Sequence, residues 1–226
     1  HTRLVTVTGV QTCALPILES VAVSFGKTLK KILNEEVKIH NIWDDFLANN
    51  PNEIGEFTID NRNRLFNDIK SAEMTGADVI VVTCSTLTPV VKMIRPFIKV
   101  PLIAIDDAMG EKAVLYGEKI LVLATAESTI IPTKDKLAEE ATKNNIKIKV
   151  DELVCAPAFQ ALKTMEMDKH DNLIKKMVQD VSGYDCIVLA QASMAHLESD
   201  ISKICGCPVL SSPKLCMEQV KKLLYK

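Results

Sequence analysis

The sequence predicts an α/β fold of two pseudo-symmetric lobes, each a parallel sheet flanked by helices, with a ligand cleft between them. Three observations carry this reading. Short runs rich in Val and Ile alternate with helical patterns along the 226 residues, the order that lays helices over a parallel sheet. Runs such as Val79-Ile80-Val81-Val82 are apolar at every position, as strands covered on both faces must be. A strand signature also recurs: Gly76-Ala77-Asp78-Val79-Ile80-Val81 returns as Gly183-Tyr184-Asp185-Cys186-Ile187-Val188, at an offset of 183 − 76 = 107. Pro101 and Pro208, which open the next strand in each case, keep the same offset, 208 − 101 = 107. Chance resemblance of two buried strands would not keep Gly, Asp and Pro in one register.

The elements follow in order. Strand segments are expected at 37–42, 78–83, 101–105, 118–124, 146–152, 185–190 and 207–211, each short and rich in Val and Ile. Helical patterns fall near 18–34, 59–75, 88–96, 107–116, 131–144, 168–182, 193–204 and 214–224. Residues 1–17 resemble a translated sequencing-adapter read. They are expected to be a non-native segment and Cys13 to carry no function. Leu4-Val5-Thr6-Val7 nonetheless alternates well enough to pair as a strand. The repeat then assigns 18–115 with 213–226 to the first lobe and 116–212 to the second.

Composition removes several function classes. Lys and Arg number 27 against 29 Asp and Glu, a net charge of −2, so no global field draws the chain to nucleic acid or an anionic membrane. Aromatic residues are only 4%, and no basic stripe is interleaved with them. No apolar run reaches the roughly 18 residues that span a bilayer. The chain has eight glycines and neither a GxGxxG nor a GxxxxGK[ST] pattern, so phosphate loops built on close backbone approach are not expected. Seven cysteines, at 13, 84, 155, 186, 205, 207 and 216, read as reduced thiols of a cytoplasmic protein. Cys205-Gly206-Cys207 with Cys216 lacks the paired spacing of a closed tetrahedral metal site, so no metal is expected.

In open parallel sheets, ligands bind beyond the carboxyl ends of the strands. The repeat puts Thr83-Cys84-Ser85-Thr86 at one such end and Ala190-Gln191-Ala192-Ser193 at the other. Both runs lead into helices, where backbone N–H groups receive anions, and Ser85, Thr86 and Ser193 add hydroxyls. A third polar loop, Ala124-Thr125-Ala126-Glu127-Ser128-Thr129, follows the strand at 118–124. Its Ser128 and Thr129 suit helix capping and ligand binding equally. A small carboxylate is the ligand such groups would enclose. Cys84 is the residue expected to do chemistry, because a thiol at a strand end before a helix amino terminus gains thiolate character. The alternative is a small buried hydrophobe.

Over residues 18–226 the chain resembles the aspartate/glutamate/hydantoin racemase superfamily, whose scaffold arylmalonate decarboxylases and maleate isomerases share. Val82-Thr83-Cys84-Ser85-Thr86 is similar to its first cysteine run, and Leu123-Ala124-Thr125 with Ser128 to its carboxylate-binding loop. The resemblance implies a cofactor-independent isomerase with one cysteine after a strand of each lobe, one thiolate removing the α-proton and the opposite thiol returning one. It implies Cys84 as catalytic, with Ser85, Thr86, Thr125, Ser128, Gln191, Ala192 and Ser193 binding substrate. The departure is at Gln191, which stands one repeat offset after Cys84 (191 − 84 = 107), where the second thiol is expected. Glutamine has no titratable proton near neutrality, though its amide can donate to a carboxylate or an enediolate.

Three readings follow. The chain is a racemase or epimerase with another second base, for which His196 and His40 are candidates. Or Cys84 works alone, as in decarboxylation or cis–trans isomerisation of a small diacid. Or catalysis is lost and a carboxylate is merely bound. Neither nucleic acid nor membrane is an expected partner, and a homo-oligomer is left open. Asp106-Asp107 is expected to cap a helix, and Asp44-Asp45 to face solvent in a loop.

Overall fold

The fold is known from a computed structural model, which describes residues 10–15, 19–33 and 37–225. The chain divides into two units, one running to Ala104 and taking in the residues from Met217 onward, the other Ile105–Cys216. The first boundary falls directly after the fourth strand, about one helix earlier than the repeat places it.

The first unit runs β1 (Val10–Leu15), α1 (Glu19–Ile32), β2 (Val37–Asn41), α2 (Phe46–Ile54), α3 (Ile59–Met74), β3 (Val79–Val82), α4 (Thr88–Ile94) and β4 (Leu102–Ala104). Its strands pair in parallel in the order β2-β1-β3-β4. The second unit runs α5 (Asp107–Val114), β5 (Lys119–Ala124), α6 (Ile130–Lys143), β6 (Lys149–Val154), α7 (Ala156–Lys163), α8 (Met167–Met177), β7 (Cys186–Leu189), α9 (Glu198–Cys205) and β8 (Val209–Ser211). Its order, β6-β5-β7-β8, is the same topology. The last helix, α10 (Ser212–Leu224), begins in the second unit and ends in the first.

The repeat holds at the level of single bonds. Strands β3 and β7, and β4 and β8, begin and end at the offset of 107 (186 − 79 and 209 − 102). Ile80 N–H donates to Pro101 O at 2.9 Å, and Ile187 N–H to Pro208 O at 2.9 Å. Gly76 and Gly183 take φ of 76° and 79°, a left-handed turn that glycine enters without steric cost before each strand.

Complete burial explains the all-apolar strands. In the first unit Ile80 and Val82 pack with Leu47 of α2, Leu65, Ile69 and Ala72 of α3, and Val91 and Ile94 of α4. Val79 and Val81, which point to the opposite face, are equally inaccessible. In the second unit Ile120, Val122 and Ala124 of β5 face Met109 and Ala113 of α5 and Leu137 and Ala141 of α6. The alternate residues Leu121 and Leu123 face Ala158, Ile174 and Ile201 of α7, α8 and α9. Burying each such side chain stabilises the fold by about 1.5–3 kcal/mol.

Some elements depart from the sequence pattern. The strand expected at 146–152 is β6 at 149–154, because Asn145 at φ 55° and the bond from Ile146 N–H to Ala141 O still belong to the exit of α6. Pairing of Lys149–Val154 with Lys119–Ala124 then sets the strand. Helices α2, with Pro51 inside it, and α7, with Pro in its first turn, were not signalled by periodicity. The strand expected at Leu4–Val7 lies outside the described residues, and β1 spans Val10–Leu15.

The paired aspartates follow expectation in part, since Asp45 is exposed. Asp44 is buried rather than solvent-facing: it accepts from Phe46 N–H at 3.1 Å and pairs with Arg64, whose guanidinium lies over the Phe46 ring. Burial works to raise the Asp44 carboxyl, but its bonds to Arg64 and Asp68 hold it below the usual range. Asp106 sits at the N-cap of α5 without making a side-chain cap bond. Asp107 accepts instead from Lys136 Nζ at 2.7 Å. No helix among the described residues is long and apolar enough to cross a membrane.

Candidate functional site

The carboxyl end of β3 continues through Thr83 and Cys84 into a tight turn, Ser85–Leu87, before α4. Cys84 has extended backbone, φ −128° and ψ 119°, and its carbonyl accepts from Leu87 N–H at 3.1 Å. Its side chain is half-buried against the first unit's core, and Sγ lies 2.8 Å from Thr86 Oγ1. Ser85 and Thr86 are half-buried beside it. The turn thus brings together a partly accessible thiol and a hydroxyl able to donate to a thiolate.

Burial holds the other described thiols in their neutral form. It raises Cys155, Cys205, Cys207 and Cys216, and takes Cys186 to about 12. Cys205-Gly206-Cys207 has a structural part. Gly206, at φ 68°, ends α9 with its N–H on Ser202 O.

At the end of β7 the same turn is built one repeat later. Gln191 has φ −134° and ψ 137°, and its carbonyl accepts from Met194 N–H at 3.1 Å. The side chain reaches a neighbouring loop. Gln191 Oε1 accepts three hydrogen bonds from the loop after β5: Thr125 N–H at 2.6 Å, Thr125 Oγ1 at 3.0 Å and Ala126 N–H at 3.2 Å. Backbone N–H groups only donate, so the atom seated on them is the amide oxygen.

Thr125 and Gln191 therefore come together, whereas Ser128 is exposed in the turn Glu127–Thr129 and takes no part in that bond set. Thr129 caps no helix through its side chain, and its hydroxyl donates to Ala126 O at 2.8 Å. Ala192 and Ser193 follow Gln191 in the next turn. Ser193 Oγ, in the turn that follows β7, and Ser211 Oγ, at the end of β8, are buried without partners among the described residues. No spacing signalled Ser211, since the repeat puts Ala104 in its place.

His196 is turned onto helix α8. Its Nε2 lies 2.8 Å from Asp171 Oδ2, and Asp171 Oδ1 lies 2.7 Å from Nδ1 of buried His170. The two rings stack at 6.5 Å. Burial pushes the Asp171 carboxyl up, and its bonds to the two histidines outweigh that and hold it below the usual range. His40 lies within β2, one residue before its end. No cluster of three or more metal-ligating side chains occurs among the described residues.

The fold matches solved structures along almost its whole length. It resembles an aspartate racemase homologue from Pyrococcus horikoshii OT3 (TM-score 0.69, 18% identity, 96% of this chain and 99% of that one). It also resembles the aspartate racemase of Picrophilus torridus (0.68, 16%, 95% and 94%) and the allantoin racemase of Klebsiella pneumoniae (0.66, 14%, 95% and 87%). At such identities the likeness shows the fold. No curated protein matches the sequence. A family model described as Asp/Glu/Hydantoin racemase matches residues 54–220, well over half of the chain, and the protein belongs to that family of racemase-type isomerases.

Proposed function

We propose that the protein is a cofactor-independent isomerase of a small carboxylate of the aspartate, glutamate or hydantoin type, working through the Cys84 thiolate. The observation that carries this is the turn after β3, where a half-buried Sγ lies 2.8 Å from the Thr86 hydroxyl. In the reaction Cys84 takes the proton from the substrate α-carbon and becomes a thiol. The electron pair left behind spreads onto the adjacent carbonyl as an enediolate, which backbone N–H groups and hydroxyls stabilise. Ser85, Thr86, Thr125, Ser128, Ala192 and Ser193 are the groups proposed to bind substrate.

A one-base reading is favoured by a specific observation. Gln191 stands one repeat offset after Cys84 and shares its extended backbone, which supports reading it in place of the second thiol that the resemblance implies, and an amide neither accepts nor delivers the second proton. A single thiol suffices to protonate one face of an enediolate left by loss of carbon dioxide, or to add to an alkene during cis–trans isomerisation. Incubation with aspartate, glutamate, hydantoins, a malonate and maleate in deuterated water separates the two. Deuterium at the α-carbon with inversion supports racemisation, whereas carbon dioxide from the malonate or fumarate from maleate supports one-base chemistry. Cys84→Ala and Cys84→Ser should abolish whichever activity appears, and unchanged turnover in both would remove Cys84 from the mechanism.

A further inference from the structure

Three donors on the loop after β5 converge on one oxygen. Thr125 N–H, Ala126 N–H and Thr125 Oγ1 all point at Gln191 Oε1, at 2.6, 3.2 and 3.0 Å. Such convergence suits an anionic oxygen, because hydrogen bonds to a charged acceptor are about twice as strong as those to a neutral one. A neutral amide from the end of the neighbouring strand β7 fills it here. Gln191 as a residue is only half-buried and is not sealed into the core.

We infer that Gln191 is an internal ligand of this loop, holding the place of a substrate carboxylate oxygen and leaving when a carboxylate binds. The inference rests on the carboxylate substrate proposed above. It assigns Gln191 a positioning role: it keeps the Thr125 and Ala126 amides aligned until substrate arrives and sets a threshold that only a charged acceptor passes. Neutral ligands, hydantoins among them, do not displace it, because they offer nothing stronger than the amide already seated, so the inference rests on the aspartate- and glutamate-type substrates of that proposal. Once displaced, the Gln191 side chain carries its amide hydrogens into solvent or onto the ligand, and Ser193 Oγ, two residues on, still lacks a protein partner among the described residues.

A seated side chain lowers apparent affinity by the fraction of molecules in which the loop is open. Calorimetric titration of the full chain with malonate and with L-aspartate therefore tests the inference. Gln191→Ala, which leaves the donors open, should bind both about tenfold more tightly than the unaltered protein. Gln191→Glu, which supplies its own charged ligand, should bind both more weakly. A residue that merely ties two loops together would lose affinity on truncation to Ala, and that result overturns the inference. Should the Ala variant fail to fold, the backbone amide resonances of Thr125 and Ala126 in the unaltered protein decide. They must shift on saturation with malonate, and unmoved resonances refute displacement. The outcomes are separable from the proposed function. If Cys84→Ala retains activity while malonate still displaces Gln191, only the catalytic assignment fails; if Cys84 is essential and those amides stay still, only the internal ligand fails.

Discussion

Replacing Lys136 with methionine should destabilise the second unit severely although it keeps the side chain's length. Lys136, on α6, is 5% exposed and reaches α5, with Nζ 2.7 Å from Asp107 Oδ1 and 2.8 Å from Glu140 Oε1 of its own helix. Burial alone would lower its pKa, but the two carboxylates outweigh that and raise it above 10.5. Its contribution is therefore complete below that value and lost only as the pH rises through the elevated folded pKa. At neutral pH the ammonium is fully charged. Removing it takes the buried cation from both carboxylates, while Glu140 keeps the more exposed Lys143 Nζ at 2.9 Å, so the loss should fall near the lower end of the range for breaking a buried pair, about 3 kcal/mol. For a chain of this size each kcal/mol lowers the melting temperature by about 2–4 °C. Urea denaturation followed by circular dichroism at pH 7 measures the effect. The triple replacement of Lys136→Met, Asp107→Leu and Glu140→Leu should recover most of the stability, as apolar substitution of whole buried ion clusters does elsewhere. A loss under about 1 kcal/mol, or a triple variant no more stable than the single one, refutes the argument that the charges, and not the packing, make this site sensitive.

Other consequences are as direct. Gly110→Ala adds a Cβ 2.9 Å from Lys136 Cγ and 3.4 Å from Glu140 Cγ; the helix-propensity gain of about 1 kcal/mol should be outweighed by overpacking of about 1–3 kcal/mol, and a melting temperature above that of the unaltered protein would contradict it. The Asp68 carboxyl is pushed up to about 6 by burial and by its contact with Asp44, so its contribution to stability is present below its ordinary 3.8 and lost as the pH rises through 6. Asp68→Asn should consequently match the unaltered protein at pH 4 and exceed it at pH 8, and denaturation curves with no such divergence would exclude the shared-proton arrangement. Iodoacetamide with peptide mapping should modify Cys84 before Cys155, Cys186 or Cys216, which burial keeps protonated. Thr86→Val should slow that alkylation if the hydroxyl donates to the thiolate; an unchanged rate would assign the contact to packing alone.

Much of this architecture was readable before any coordinates. The strands of the repeat are short apolar runs whose period and bounding Gly and Pro are local properties, and the constant offset reappears in strand limits, glycine conformations and single hydrogen bonds. The place of Cys84 followed from the same rule, since a parallel strand must present its carboxyl end to the ligand side. Helix α2 is hidden because Asn and Pro obscure its periodicity, and the burial of Asp44 is not legible in the sequence because Arg64 reaches it only once α3 packs. Gln191 shows the limit most clearly. Its position relative to Cys84 is arithmetic, but an amide donates and accepts equally well, and which it does depends on what faces it. Thr125 and Ala126 lie on another strand's loop, and only the parallel pairing of β5 with β7 sets their N–H groups against its oxygen. Local pattern therefore decides where the chain turns, and tertiary contact decides which polar atom each turn holds.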